Sequence, residues 1–191
     1  HPEAEKSAKI STRHPFFFWM KRLGHRLTLW HAMRQAKVIF APTEYVSKDI
    51  KYFYPNVVTP QVTSEGLSAL PIPRPQTLPY ESFLFYVGSA YPHKRLDLIL
   101  EAWSTLTERY PYLHLVLGGE LDVFMKRHQQ TAAAMNLPRV HFPGRLSDEQ
   151  LANHYSQAKA FLFPSANEGF GLPPLEALGY GCPVVSSNST S

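Results

Sequence analysis

Short apolar runs alternate with longer amphipathic stretches over residues 81–191. Each run has the length and composition of a buried strand, and the runs are Phe83–Val87, Tyr112–Leu117, Val140–Phe142, Ala160–Phe163 and Pro183–Ser186. Segments with helical spacing lie between them, at residues 93–110, 121–136, 147–158 and 173–178. Strands that alternate with helices pair in parallel, so this part of the chain predicts a doubly wound, Rossmann-like α/β domain.

The first eighty residues follow a different pattern. Apolar side chains recur at helical spacing from Phe16 to Ala36, with basic residues between them. A short strand at 37–41 and a helix from Pro42 to about Tyr54, capped by Thr43, are predicted next. Prolines crowd residues 55–80, where only one strand, near 57–62, is indicated, so this stretch is expected to connect two domains. The predicted limits are 1–56, 57–80 and 81–191.

The predicted helix at residues 16–36 allows two interpretations. Its apolar positions, with Lys21, Arg22, Arg26 and Arg34 between them, would suit packing on a protein core, which is the commoner use of such a helix. They would also suit a helix lying on a membrane. The charge distribution bears on both: residues 1–80 carry 11 Lys and Arg against 5 Asp and Glu, a net +6, whereas residues 81–191 carry 8 against 10, a net −2.

Charge, cysteine content and the length of the apolar runs exclude several classes of function. A basic half attracts phosphates or an anionic membrane surface, but no nucleic-acid recognition motif accompanies it, so no nucleic-acid partner is expected. The single cysteine, Cys182, excludes a disulfide framework and is expected to be buried and inert. With no run of eighteen apolar residues and no signal-peptide pattern, a cytoplasmic location is expected. Since the chain starts without Met and ends just after a predicted strand, we expect a piece of a longer protein.

The stretch from Asn167 to Gly181 is the strongest candidate for chemistry. Glycines at 169 and 171 let backbone N–H groups approach a ligand, and Pro173 and Pro174 fit the first turn of a helix, whose start favours an anion. Glu168 lies in the predicted loop and Glu176 in the first helical turn, eight positions apart. Because the loop must turn back, the two carboxylates are expected to border one pocket.

Lys94 is a second candidate. With His93 and Arg95 it lies at a predicted helix start, where the helix dipole disfavours positive charge. We favour a bound anion as the compensation; Asp97, three positions on, is the local alternative. No Gly-x-Gly-x-x-Gly follows the first strand, so a dinucleotide site is not indicated. No Asp-x-Asp and no zinc-like histidine spacing exist, and no metal is expected.

The string Glu-Gly-Phe-Gly-Leu-Pro-Pro-Leu-Glu-Ala-Leu at 168–178 resembles the Glu-x7-Glu signature of retaining glycosyltransferases with the GT-B fold, above all glycosyltransferase family 4. The resemblance covers about residues 37–191. It implies a GT-B donor-binding domain preceded by a remnant of the N-terminal acceptor domain.

The resemblance also implies roles for individual residues. Lys94 would neutralise the nucleotide diphosphate as it leaves, and Glu168 would contact the donor sugar beside the reacting carbon. Glu176 would accept hydrogen bonds from the ribose. The remaining donor-binding positions would be Gly88, Ser89, Arg145, Leu146, Gly169, Phe170, Gly171 and Leu172. Many family members carry Arg where this chain has Ser89, so the second cation is open between His93, Arg95 and Arg145.

The implied activity is transfer of a hexose, of mannose or glucose type, from a nucleotide diphosphate sugar to an acceptor hydroxyl with retention at the anomeric carbon. The acceptor would be a saccharide or a lipid-linked saccharide in polysaccharide or glycolipid assembly, and no cofactor is expected. Contact with the inner face of the membrane would come from the basic N-terminal part. The alternative is a non-catalytic α/β module that binds a nucleotide or phosphate. We expect this piece alone to have little activity.

Overall fold

The computed structural model describes residues 15–67, 71–74 and 77–188, with side chains from residue 19 onward. The chain separates into two compact units. The first contains the described residues up to Gly66 together with Asn167–Gly171, and the second contains those of Leu67–Ala166 and Leu172–Asn188. The limits predicted at residues 56 and 80 stay predictions.

The first unit contains two helices and two short strands. Their bounds are α1 Pro15–Gln35, β1 Phe40–Ala41, α2 Glu44–Phe53 and β2 Gln61–Val62. The strands are shorter than predicted and pair in parallel, Phe40 opposite Gln61. The predicted cap is confirmed, because the Thr43 hydroxyl accepts a hydrogen bond from the Val46 N–H at 3.2 Å.

Helix α1 is confirmed, but its apolar side chains do not pack on a core within the described residues. Trp19, Leu27 and Trp30 are 59%, 57% and 49% exposed. The Arg34 guanidinium lies 4.6 Å from the centre of the Trp30 ring, a cation–π contact. Packing of this helix on a protein core, which we favoured from the sequence, stays a prediction.

The second unit is the predicted doubly wound domain. Its main elements are β3 Phe83–Val87, α3 Leu96–Arg109, β4 His114–Gly118, α4 Val123–Ala134, β5 Val140–Gly144, α5 Asp148–Gln157, β6 Ala160–Phe163, α6 Leu172–Gly179 and β7 Val184–Ser186. All strand pairs are parallel, in the order β5-β4-β3-β6-β7. Helix α5 opens with the predicted capping box between Ser147 and Gln150.

Two local predictions need correction. The helix expected from His93 begins only at Leu96, because Pro92–Lys94 form a separate 3-10 turn and Arg95 adopts a left-handed conformation with φ 54°. Glu176 is the fifth residue of α6 and so lies in its second turn rather than its first. Lys94 and Glu176 therefore lie farther from the first turn of a helix than predicted, so the helix dipole affects each of them less.

Two apolar clusters hold the sheet between the helices. On one face, Tyr86, Leu115 and Leu117 pack with Trp103 of α3 and Met125 of α4. On the other face, strand residues pack with Tyr155 of α5 and Ala177 of α6. These strand residues are Phe83, Phe85, Val116 and Phe161. Strand residues alternate between the faces, and burying one such large side chain stabilises the fold by about 2–3 kcal/mol.

The order of the strands sets where a ligand can bind. Strand β3 comes first in this domain yet lies in the middle, with β4 and β5 on one side and β6 and β7 on the other. The chain therefore changes direction across the sheet between β3 and β6. In open parallel sheets, ligands bind at such a switch point, outside the carboxyl ends of the strands.

Candidate functional site

The loops after β3, β4 and β5 meet through glycines. The Gly88 N–H donates to the Gly118 carbonyl at 3.1 Å, and the Gly119 N–H donates to the Gly144 carbonyl at 2.9 Å. A Cβ on Gly119 would lie 2.1 Å from the Gly88 carbonyl oxygen, and its φ is +145°. No side chain fits at Gly119, so the loops after β3 and β4 contact each other directly through their backbones at the carboxyl edge of the sheet.

Lys94 lies at the switch point. It ends the 3-10 turn after β3, and its ammonium is 5.6 Å from the centre of the Phe163 ring. Phe163 is the last residue of β6, so the cation lies beside the carboxyl end of the strand on the other side of the switch. This position is compatible with an anion site between β3 and β6, and the bound anion that the sequence predicted at Lys94 stays a prediction.

Hydrogen bonds tie the Lys94 turn to the loop after β6. The His93 carbonyl accepts from the Ala166 N–H at 2.7 Å and from the Ser165 hydroxyl at 3.2 Å. Ser165 is only 4% exposed, and its own carbonyl accepts a hydrogen bond from the Ser187 hydroxyl. Loops that follow three different strands are thus held together at one edge of the sheet.

Glu176 lies half-buried on α6, where Tyr155 of α5 contacts it. The Tyr155 hydroxyl donates to Oε2 of Glu176 at 3.2 Å. Burial, followed by the charge of Glu176 and this hydrogen bond, raises the pKa of Tyr155 well above its usual range. The phenol therefore stays protonated at neutral pH and acts as a permanent donor to the carboxylate.

Gly88 and Ser89 follow β3 at the same edge. Gly88 has a φ of +148°, and the Tyr86 hydroxyl fixes the next residue by donating to the Ser89 carbonyl at 2.7 Å. Beyond β5, Arg145 is exposed, and Leu146 packs over Gly118, whose added Cβ would lie 3.1 Å from the Leu146 Cδ1. None of these contacts shows whether His93, Arg95 or Arg145 would be the second cation at the diphosphate.

Four predicted residues belong to the first unit instead. Glu168, Gly169, Phe170 and Gly171 lie in the segment that forms part of the same compact unit as α1 and α2, whereas Leu172 opens α6 in the second unit. Within the first unit, the Thr43 hydroxyl donates to the Gly169 carbonyl at 3.1 Å. The meeting of Glu168 with Lys94 and Glu176 around one pocket stays a prediction.

The sequence did not single out Tyr155 or Ser165. Tyr155 occupies one more apolar position of an ordinary capped helix, and Ser165 is a small polar residue in a loop. Nothing in the spacing of either residue distinguishes it from its neighbours, since each gains its role only from a contact across the fold.

Two features are absent from the residues that the structure describes. No helix among them is both long enough and apolar enough to cross a membrane. Within the same residues, no group of three or more His, Cys, Asp or Glu side chains is arranged to hold a metal ion.

Comparison with known proteins gives the family. The family described as Glycosyl transferases group 1 matches residues 73–191. The O-antigen chain mannosyltransferase B of Escherichia coli is 30% identical over 183 residues, which cover 86% of this chain and 46% of that protein. The O-antigen chain mannosyltransferase RfbU of Salmonella typhimurium is 30% identical over 108 residues, 56% of this chain and 30% of the relative. The chain therefore spans less than half the length of these relatives.

Solved structures share the fold. A sucrose-phosphate synthase from Thermosynechococcus elongatus superposes with a TM-score of 0.73 at 22% identity, over 85% of this chain and 43% of that one. HepE of Anabaena, in complex with UDP-glucose, gives a TM-score of 0.69 at 18% identity, over 86% of this chain and 48% of that one. These likenesses confirm the predicted GT-B type of α/β fold. From the extent of the family match, this chain belongs to the group 1 glycosyl transferases.

Proposed function

We propose that the complete protein transfers a hexose, of mannose or glucose type, from a nucleotide diphosphate sugar to a hydroxyl of a saccharide or lipid-linked acceptor, with retention at the anomeric carbon. The observation that carries the proposal is the place of Lys94, whose ammonium lies beside Phe163 at the switch point of the sheet. Relatives named O-antigen chain mannosyltransferases support a role in polysaccharide or glycolipid assembly. A cytoplasmic location is part of the same proposal.

The diphosphate would bind between β3 and β6. There the Lys94 ammonium would neutralise the negative charge that grows on the leaving diphosphate as the glycosidic bond breaks. Backbone N–H groups near Gly88 and Gly119, which carry no side chains, would let the phosphates approach closely. Helix α6 follows β6 and begins at Leu172, and its N-terminus would add a partial positive charge.

The ribose and the sugar would contact the two glutamates. Glu176 would accept hydrogen bonds from the ribose hydroxyls, and Arg145 and Leu146 would border the nucleobase. Glu168 would orient the sugar hydroxyls and stabilise oxocarbenium-like charge at the reacting carbon, with backbone N–H groups of 169–172 as further donors. We assign no covalent nucleophile.

A binding experiment on the full-length protein tests the donor site. GDP, UDP and ADP, and their sugar conjugates, should raise the melting temperature selectively, with one base preferred. Lys94→Ala should remove the preference for the diphosphate over the free nucleoside. Glu176→Ala should weaken the binding of both the diphosphate and the nucleoside. Absence of any shift from all three nucleotides would refute the proposal.

A turnover experiment separates the enzyme from a binding module. With the preferred donor and a saccharide acceptor, the product of the full-length protein should have the anomeric configuration of the donor, as read by NMR. Tight donor binding without any transfer, over a panel of mannose and glucose acceptors, would favour the non-catalytic alternative. Inversion would contradict the retaining assignment alone.

We also propose that the basic N-terminal part contacts an anionic membrane surface. The exposed Trp19, Leu27 and Trp30 on α1 would enter the interface, and Lys21 and Arg26 would meet lipid headgroups. The full-length protein should sediment with vesicles that contain anionic lipid and not with neutral ones, and Trp19→Ala/Trp30→Ala should reduce this. Equal behaviour of the variant and the parent would exclude α1 as the contact.

A further inference from the structure

We infer that Tyr155 is a positioning residue, which fixes the Glu176 carboxylate so that the site selects a ribonucleotide over its deoxyribose counterpart. The inference rests on the proposed nucleotide-sugar function and adds to it a residue and a specificity. Both residues lie in the second unit, on the adjacent helices α5 and α6. The contact that carries it is the 3.2 Å hydrogen bond from the Tyr155 hydroxyl to Oε2 of Glu176.

The Tyr155 ring is held on three sides. Phe85 meets it edge-on with ring centres 5.4 Å apart, Phe161 does so at 5.3 Å, and Tyr180 stacks on it at 5.8 Å with the planes 14° apart. The residue is 1% exposed. A ring packed in this way has one rotamer, so its hydroxyl is a donor at a fixed point rather than a mobile one.

A fixed donor restricts the glutamate. A free glutamate side chain samples several rotamers, and ordering it costs binding free energy when a ligand arrives. The hydrogen bond at Oε2 selects the rotamers that keep this contact before the ligand binds. Since each carboxylate oxygen has two acceptor sites, Oε1 and the second site of Oε2 remain available for two donors from a ligand.

The chemistry that matches a half-exposed, pre-oriented carboxylate is a vicinal diol. The 2′ and 3′ hydroxyls of a ribose can each donate to it, whereas a deoxyribose offers one donor and leaves one acceptor site without its partner. Loss of such a hydrogen bond to a charged group weakens binding by roughly tenfold or more. The preference for ribose should therefore depend on Glu176 and, through its orientation, on Tyr155.

The test uses the full-length protein and calorimetry with whichever of GDP, UDP and ADP it binds most tightly, together with the 2′- and 3′-deoxy forms of that nucleotide. The parent should favour the ribonucleotide by roughly tenfold over the weaker deoxy form. Glu176→Ala should abolish this preference. Tyr155→Phe should weaken the binding of the ribonucleotide by about three- to tenfold and that of the deoxy form by less than about twofold. The preference for ribose should therefore decrease.

Tyr80→Phe is the matched control. Tyr80 belongs to the same apolar cluster, and its hydroxyl contacts His154 Nε2 at 2.7 Å, so the variant also loses a buried phenol hydroxyl. It should lower the melting temperature and keep the ribose preference. If Tyr155→Phe lowers stability but keeps the full preference for ribose, Tyr155 has a structural role alone and the inference is wrong. In that case, loss of the preference in Glu176→Ala would still support the proposed function. Failure of all three nucleotides to bind the parent would overturn both.

Discussion

The Ser165 hydroxyl donates a hydrogen bond to the His93 carbonyl at 3.2 Å, across a separation of 72 residues. The contact joins the turn that carries Lys94 to the loop that leads toward Glu168. Because the Ala166 N–H donates to the same carbonyl, the turn is held by two bonds at one point. The turn that carries the lysine is therefore bonded to a loop on the other side of the switch point.

Ser165→Ala should loosen the Lys94 turn without unfolding the domain. Loss of one buried hydroxyl contact should lower the free energy of unfolding by about 1 kcal/mol, since the Ala166 bond to His93 remains. Under the proposed function, the KM for the nucleotide sugar should rise in the full-length protein. Ser156→Ala is the control, because Ser156 is exposed and its hydroxyl donates within its own helix, to the Asn153 carbonyl. This variant should change neither the free energy of unfolding nor the KM. An unaltered KM in Ser165→Ala would separate this serine from the donor site.

Gly119→Ala should destabilise the protein strongly. Its Cβ would overlap the Gly88 carbonyl at 2.1 Å, and its φ of +145° is unfavourable for alanine. We expect a loss of at least about 3 kcal/mol in urea denaturation, because backbone must move on both sides. Gly24→Ala is the opposite case: it lies inside α1 with nothing within 4 Å of the added Cβ, and helix propensity should stabilise it by about 0.5–1 kcal/mol. Equal effects of the two would contradict this account of the loop.

Stability should fall on mild acidification. Burial lowers the pKa of His154, whose Nδ1 donates to the Gln150 carbonyl at 2.6 Å and whose Nε2 accepts from Tyr80. Burial likewise lowers the pKa of His128 and of His141. With folded values below the usual 6.5, the unfolded chain binds protons that the folded chain does not, so stability decreases as pH falls below about 6.5.

Denaturant midpoints between pH 7.5 and pH 5 measure this effect. The double variant Tyr80→Phe/His154→Phe removes one of the titrating groups together with its partner, and its midpoint should depend less steeply on pH than that of the parent. A parent protein whose midpoint is constant or rises toward pH 5 would show that the buried histidines do not control acid stability.

Cys182 should react slowly with thiol reagents in the folded protein. It is 2% exposed, as the sequence predicted, and burial raises the pKa of its thiol, so little thiolate forms at pH 8. Alkylation by iodoacetamide at that pH should be slower by at least about a hundredfold than in urea, given a protein stable by several kcal/mol. Rapid labelling without denaturant would mean that β7 opens readily from the edge of the sheet.

The sequence predicted the second unit well because its signals are local. Apolar runs bounded by glycine and proline located β3 to β7, and Ser147 with Gln150 located the start of α5. The start of α3 was misplaced because Pro92–Lys94 could equally open a helix, and only the backbone of Arg95 interrupts it.

Bonds across the fold left no such signal. The bond from Tyr155 to Glu176 joins two helices, and the bond from Ser165 to His93 joins two loops, so neither follows from spacing along the chain. The exposure of α1 within the described residues has no signal in the sequence for a related reason. A helical pattern of apolar residues shows which side would be buried, but it does not show what would cover that side.

The central place of β3 has a consequence for synthesis on the ribosome. One edge of this strand pairs with β4, but the other pairs with β6. Phe161 of β6 lies opposite Phe85 and comes 76 positions later in the chain. Until then the nascent chain presents an unpaired edge and uncovered aromatic rings, which favour association with other chains. A chaperone that engages this stretch during elongation would be most useful between the emergence of β3 and that of β6.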